Sequence, residues 1–177
     1  MNWPNRLSIL RVLCIPAIVG LLYASAPWCH WTAMALFILA SLTDFLDGYL
    51  ARKNGWITDF GKFIDPVADK LLVLSTFIML IEKGWFPAWA VVVILARELC
   101  IDGLRLIAMT KQKVIAAGKL GKIKTASQMG LILLLMVLRK PVFSSWISAA
   151  AAAWVIGITL WSAVDYFLKN RSVFRDS

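Results

Sequence analysis

The sequence predicts an all-α integral membrane protein with six transmembrane helices, and three observations carry that prediction. Hydrophobic residues make up 60% of the chain, the mean hydropathy is +0.76 and only 16% of residues are charged, a balance foreign to an ordinary soluble domain. Apolar stretches approach the roughly 20 residues needed to cross a bilayer at 9–24, 31–50, 67–81, 87–108, 123–138 and 146–168. Lysines and arginines, finally, gather in alternate loops.

The elements follow in order. Residues 2–11 interleave Trp3, Leu7 and Leu10 with Arg6 and Arg11, the composition of an N-terminal interfacial amphipathic helix, and they carry no small-residue cleavage site of a secretory signal. The second span opens beside Trp28, His30 and Trp31, read as an interfacial aromatic belt, and Asn54-Gly55 forms its stop signal. Asp65-Pro66 opens the third, with Asp as N-cap and Pro at the first helical position. The fourth carries Arg97, Glu98, Asp102 and Arg105 in its second half, and the fifth follows a Gly121-Lys122-Ile123-Lys124-Thr125 run with Gln128 beyond it. Cys14, Cys29 and Cys100 show no C-x-x-C spacing and read as packing residues. Without an internal repeat, low-complexity tract or linker, residues 1–177 are expected to form one domain.

Six spans return both termini to one face. That face then holds Arg6, Arg11, Arg52, Lys53, Lys62, Lys111, Lys113, Lys119, Lys122, Lys124, Lys169, Arg171 and Arg175, against Lys83, Arg139 and Lys140 opposite. The positive-inside rule makes the rich face cytoplasmic. The net charge of +9 is thereby explained through topology and anionic headgroups, with a share left for an anionic substrate. Nucleic-acid binding is excluded, since the cations are spread among juxtamembrane loops rather than gathered on a soluble face.

Four aspartates, Asp44, Asp47, Asp65 and Asp69, stand where apolar segments meet the cytoplasmic face. Ionisable groups at membrane depth are costly and mark function. Asp44 and Asp47 are i, i+3 near the end of the second span, and Asp65 and Asp69 are i, i+4 at the start of the third, so each helix end projects two carboxylates from one side. Asp65 alone would be explained as a cap, but a cap accounts for none of the other three. Clustered carboxylates repel one another unless a cation lies between them. Hard oxygen donors in this number suit Mg2+ or Mn2+, as a pair of ions, and a diphosphate is the ligand such a pair handles. Asp59 falls in the polar loop between the pairs and reads as solvated. Gly48 and Gly61 leave room for close approach of a ligand to the backbone, although Gly48 also suits tight helix packing. Arg52, one turn past Gly48, is a candidate phosphate partner or an ordinary flanking charge.

Read as D-x-x-D-G-x-x-A-R-x8-G-x3-D-x3-D, the stretch through Asp44, Asp47, Gly48, Ala51, Arg52, Gly61, Asp65 and Asp69 resembles the signature of the CDP-alcohol phosphotransferase family without a departure. The resemblance implies a six-helix membrane enzyme that transfers a phosphoryl-linked group from a CDP-linked alcohol to an acceptor hydroxyl and releases CMP. It implies that Asp44, Asp47 and Asp65 serve mainly as metal ligands, and that Asp69 is the general base and also touches a metal. It further implies that Asp44, Gly48, Ala51, Arg52 and Gly61 surround the CDP donor.

The acceptor must be read elsewhere. Cations inside a span need an anion, and Glu98, Asp102 and Arg105 at i, i+4 and i, i+3 spacing can form an internal ladder. With Lys122 and Lys124 added, bases outnumber acids, which favours a phosphorylated acceptor held by Arg97, Arg105, Lys122 and Lys124. Arg105 is the first choice because of its depth, Lys122 the second, and Lys124 the nearest to a plain topology charge. R-E-x6-R over 97–105, G-K-x-K-T-x-x-Q over 121–128 and the opening Pro4-Asn5-Arg6-Leu7-Ser8 with Arg11 are similar to the bacterial phosphatidylglycerophosphate synthases, a branch of that family. The usual opening has Thr where this chain has Ser8, which keeps the hydroxyl. That branch implies CDP-diacylglycerol as donor, sn-glycerol 3-phosphate as acceptor and the bacterial inner membrane as location, with the site facing the cytoplasm.

Competing readings use the same residues. Phosphatidylinositol phosphate, phosphatidylserine or cardiolipin synthases share the aspartate machinery and differ in acceptor. Membrane prenyltransferases also grip diphosphate with aspartates and Mg2+, but they carry two related aspartate-rich motifs, and no second one is present. An ion pathway lined by the acidic residues is physically allowed. Trp- and Phe-rich segments make a homodimer one way of covering apolar surface, and lipid another.

Overall fold

A computed structural model of the chain describes residues 3–24, 26–54, 59–111 and 118–171, and within them the side chains of 7–24, 26–43, 61, 64–111, 118 and 120–171. Among these residues the chain is all-helical, with α1 Trp3–Tyr23, α2 Pro27–Asn54, α3 Asp59–Glu82, α4 Ala88–Thr110, α5 Lys119–Leu138 and α6 Trp146–Lys169, plus a short 3-10 turn at Val142–Ser144. Each helix coincides, to within a residue at either end or with added turns, with one of the six predicted apolar segments. The helices fall into two compact units, Met1–Lys83 and Gly84–Ser177.

In the first unit α1 packs against both α2 and α3. Its buried residues Ser8, Arg11, Ile18 and Leu22 recur at helical spacing, and the helices it packs on bury Ala33, Phe37 and Ala40 in α2 and Ala68, Leu72 and Leu80 in α3. Alanine at 33, 40 and 68 lets backbones approach closely, the usual device where lipid removes the hydrophobic drive between helices. The expected interfacial N-terminal helix is not a separate element. Residues 3–11 are the opening turns of a continuous α1, and Arg11, expected on a polar outer face, is only 1% exposed.

Two further expectations are corrected here. α3 starts at Asp59 rather than at Asp65, so Asp65 lies inside the helix and is no N-cap. Pro66 is then an internal helix proline that leaves the carbonyl four residues earlier without its N–H, a loss that helices in a membrane tolerate. Asp59, expected in a loop, is the first residue of α3. α2 is described as far as Asn54, and the expected Asn54-Gly55 stop falls at the limit of the described residues, Gly55 lying outside them.

In the second unit α6 packs on α4 and α5. Gly84, at φ 69°, and Arg139, at φ 53°, supply the left-handed turns before α4 and after α5. The Arg139 N–H closes α5 by donating to the Leu135 carbonyl at 2.9 Å. The Val142 N–H donates to the Trp85 carbonyl at 2.8 Å, tying the α5–α6 connection to the segment before α4. Ser145 caps α6 through its hydroxyl, which accepts from the Ile147 N–H at 3.3 Å.

This unit buries polar groups beside its apolar core and exposes large apolar ones. Glu98, Lys124, Gln128, Ser148, Thr159 and Ser162 are buried, while Leu106, Trp146, Trp154 and Trp161 are exposed. Polar groups facing inward and large apolar groups facing outward fit a lipid surround. By length and apolarity the described residues contain two helices able to cross a membrane, Leu120–Leu138 and Trp146–Lys169. α4 is long enough but carries Arg97, Glu98, Asp102 and Arg105, so charges destined for its packed face lower its hydropathy.

Candidate functional site

In the first unit, the i, i+4 spacing of Asp65 and Asp69 on α3 is realised, and both residues are half-buried. The Ser8 hydroxyl donates to Asp65 Oδ1, bringing α1 onto this carboxylate. One turn along α1, Arg11 Nε donates to the Ala40 carbonyl of α2 at 3.3 Å, and the same carbonyl accepts the Thr43 hydroxyl at 2.8 Å. Ala40 precedes Asp44 by one helical turn. α1 thus anchors both helices that carry the aspartates, through one hydroxyl and one guanidinium. Gly61 is buried.

Asp44, Asp47, Gly48, Ala51 and Arg52 lie on α2, and their side chains are outside the described residues. Among the described residues no three carboxylate, histidine or cysteine side chains converge on one point; of the predicted quartet only Asp65 and Asp69 fall there. The donor set itself, four carboxylates in two one-turn pairs, fits a hard divalent cation and not a soft one.

In the second unit the charges gather around Glu98. Its carboxylate, 7% exposed, accepts from Lys124 Nζ of α5, and Arg97 Nη1 stands 3.4 Å from it. Arg97 Nη2 donates to the Ser162 hydroxyl of α6 at 3.1 Å. Arg105 Nε donates to the Tyr166 hydroxyl at 3.0 Å, with the guanidinium carbon 5.6 Å from the centre of that ring. Lys124 is 4% exposed, so it is not the topology charge expected of it. A buried ammonium is tolerable only beside an anion, and Glu98 provides it across helices. Lys122 is exposed. Ties between helices join this cluster: Glu98 of α4 meets Lys124 of α5, and Arg105 of α4 meets Tyr166 of α6.

Ser162 and Tyr166 escaped the sequence reading. Ser148, Thr159, Ser162 and Tyr166 are buried along α6 at helical intervals, a stripe of hydroxyls in an apolar helix that signals a packed polar face. His30 is buried, its ring 5.9 Å from Trp31 in an edge-on contact, in keeping with an aromatic cluster.

The CDP-alcohol phosphatidyltransferase family profile matches residues 1–161. A Bacillus subtilis (strain 168) protein named CDP-diacylglycerol--glycerol-3-phosphate 3-phosphatidyltransferase is 38% identical over 99% of this chain and 98% of its own length. Proteins of the same name from Rickettsia bellii and from Shigella flexneri serotype 5b are 45% and 32% identical, over 72% and 99% of this chain and 71% and 98% of their own lengths. With the profile spanning both units and relatives aligned nearly end to end, the chain belongs to the CDP-alcohol phosphatidyltransferase family.

Proposed function

We propose that this protein is a phosphatidyltransferase that moves the phosphatidyl group of CDP-diacylglycerol onto sn-glycerol 3-phosphate, yielding phosphatidylglycerol phosphate and CMP. The observation that carries this reading is near-full-length similarity to relatives bearing that activity in their name. The complete Asp44–Asp69 signature and the buried cations of the second unit support it.

An acceptor hydroxyl forms a new bond to the phosphatidyl phosphorus, the phosphoanhydride bond to CMP breaks, and the hydroxyl proton passes to a carboxylate. Asp69 is the candidate base. Asp44, Asp47 and Asp65, with Asp69 as a shared ligand, would hold Mg2+ or Mn2+, in all a pair of ions, which supply neutralisation of the diphosphate charge. Gly48, Ala51 and Gly61 leave room for the CDP donor, and Arg52 is the candidate partner of its phosphates. Arg97, Arg105, Lys122 and Lys124 are the candidate grip on the acceptor phosphate. Arg97 and Lys124 both stand beside the buried Glu98 carboxylate, so two of these cations are already gathered at one point.

The apolar outer surface and the Lys and Arg distribution support a six-span protein of the bacterial inner membrane with its site toward the cytoplasm. The family match running through both units supports one domain over 1–177. Membrane lipids cover the apolar faces, and a homodimer is the alternative cover. The test is CMP release by pure protein from CDP-diacylglycerol, with and without glycerol 3-phosphate and Mg2+. Release that needs both supports the reading; release with inositol phosphate, serine or phosphatidylglycerol instead reassigns the acceptor, and none under any acceptor removes the transferase reading.

A further inference from the structure

Two buried donors of the second unit lack acceptors. Gln128, 2% exposed, has no hydrogen-bond partner at Nε2, and the same holds for Arg97 Nε. Both belong to one constellation. Lys124 pairs with Glu98, Glu98 with Arg97, and Gln128 lies one turn beyond Lys124 on the same face of α5. In a lipid-surrounded bundle an unsatisfied amide is expensive, and buried polar groups normally find partners. Here donors exceed acceptors at two points, one of them on a guanidinium. A ligand completing this set is anionic and rich in oxygen.

The two orphans differ in kind. An arginine Nε–H belongs to the guanidinium fork that suits phosphate. A neutral carboxamide N–H gains less from a dianion and suits a neutral oxygen. We infer that Gln128 is a specificity-determining residue that donates its Nε2–H to the secondary hydroxyl of a phosphorylated polyol, while Arg97 and Lys124 hold the phosphate. This rests on the acceptor assignment proposed above and adds how the acceptor's carbon skeleton is read. A site built to bond a hydroxyl rejects the analogue lacking it, because the site's own polar group is left unpaired.

The test compares sn-glycerol 3-phosphate with 3-hydroxypropyl phosphate, which keeps the phosphate and the primary hydroxyl but lacks the secondary one. Wild-type protein should prefer the former by about tenfold or more in kcat/KM. Gln128→Met, close in shape and without polar hydrogens, should bring the ratio to within about twofold and leave the donor KM unchanged. Its thermal unfolding midpoint without acceptor should hold or rise, since an unpaired amide is removed. A preserved tenfold ratio in Gln128→Met, or a marked fall in its midpoint without acceptor, overturns the inference. Arg97→Gln separates the two levels: a raised acceptor KM there with no change in Gln128→Met defeats only the role of Gln128, whereas no change in either defeats the acceptor site itself.

Discussion

The hydroxyl of Ser8 on α1 donates to Oδ1 of Asp65 on α3, across 57 residues of sequence. A serine in the opening turns of the chain thereby fixes the rotamer of a carboxylate proposed as a metal ligand, as supporting hydrogen bonds to ligating carboxylates do.

Removing that hydroxyl in Ser8→Ala should weaken Mn2+ binding and raise the Mg2+ concentration needed for half-maximal rate. A hydrogen bond to a charged group contributes about 1.5–3 kcal/mol, or roughly one to two orders of magnitude. Ser8→Thr keeps the donor and should restore most of the loss. Titration of free Mn2+ by electron paramagnetic resonance reads binding apart from turnover, and identical curves for Ser8→Ala and wild type would refute the role.

Replacing Asp44, Asp47 or Asp65 with Asn should abolish turnover and weaken metal-dependent binding of the CDP donor. Asp69→Asn should differ in kind, keeping donor binding while losing a factor of about 10² to 10⁴ in rate, the usual worth of a general base. Equilibrium binding of CDP-diacylglycerol to chelator-treated protein with Mg2+ restored distinguishes the two. Equal loss of donor affinity in Asp44→Asn and Asp69→Asn would make Asp69 chiefly a ligand.

The elements were legible in the sequence because their signals are local. Apolar runs placed all six helices. Asp65-Pro66 misled, since the same dipeptide starts a helix or sits within one, and the earlier start of α3 at Asp59 has no local mark of comparable strength. The aspartate signature was legible for the same reason: its spacing is written along the chain. Pairing between helices was not. Nothing near Lys124 announces that Glu98, 26 residues earlier, turns it inward, and nothing near Arg105 announces Tyr166. The hydroxyl stripe of α6 was the available clue, because a buried polar face in an apolar helix needs polar partners.

Glu98→Gln removes the buried carboxylate that Lys124 and Arg97 meet. Breaking a buried pair in this way costs about 3–5 kcal/mol, so the variant should unfold at clearly lower temperature in detergent micelles. Adding Lys124→Met should recover a good part of the loss, since the uncompensated cation goes with it. A double variant no more stable than Glu98→Gln would show that Lys124 and Glu98 are not energetically coupled.

Arg105 is held by Tyr166 through its Nε, with the ring beneath the guanidinium, and it is one of the candidate grips on the acceptor phosphate. Arg105→Gln removes the charge-assisted contact and should lower kcat/KM for the acceptor by about one to two orders of magnitude, through KM, with the donor KM unchanged. Tyr166→Phe keeps the ring and loses only the hydroxyl that aims the fork. A neutral bond of that kind contributes about 0.5–1.5 kcal/mol, so the acceptor KM should rise by roughly two- to tenfold. Steady-state kinetics with each substrate varied in turn checks both. If Arg105→Gln lowers the unfolding midpoint and leaves the acceptor KM alone, the guanidinium serves the α4–α6 contact, and the acceptor phosphate must be held by Arg97 and Lys124 without it.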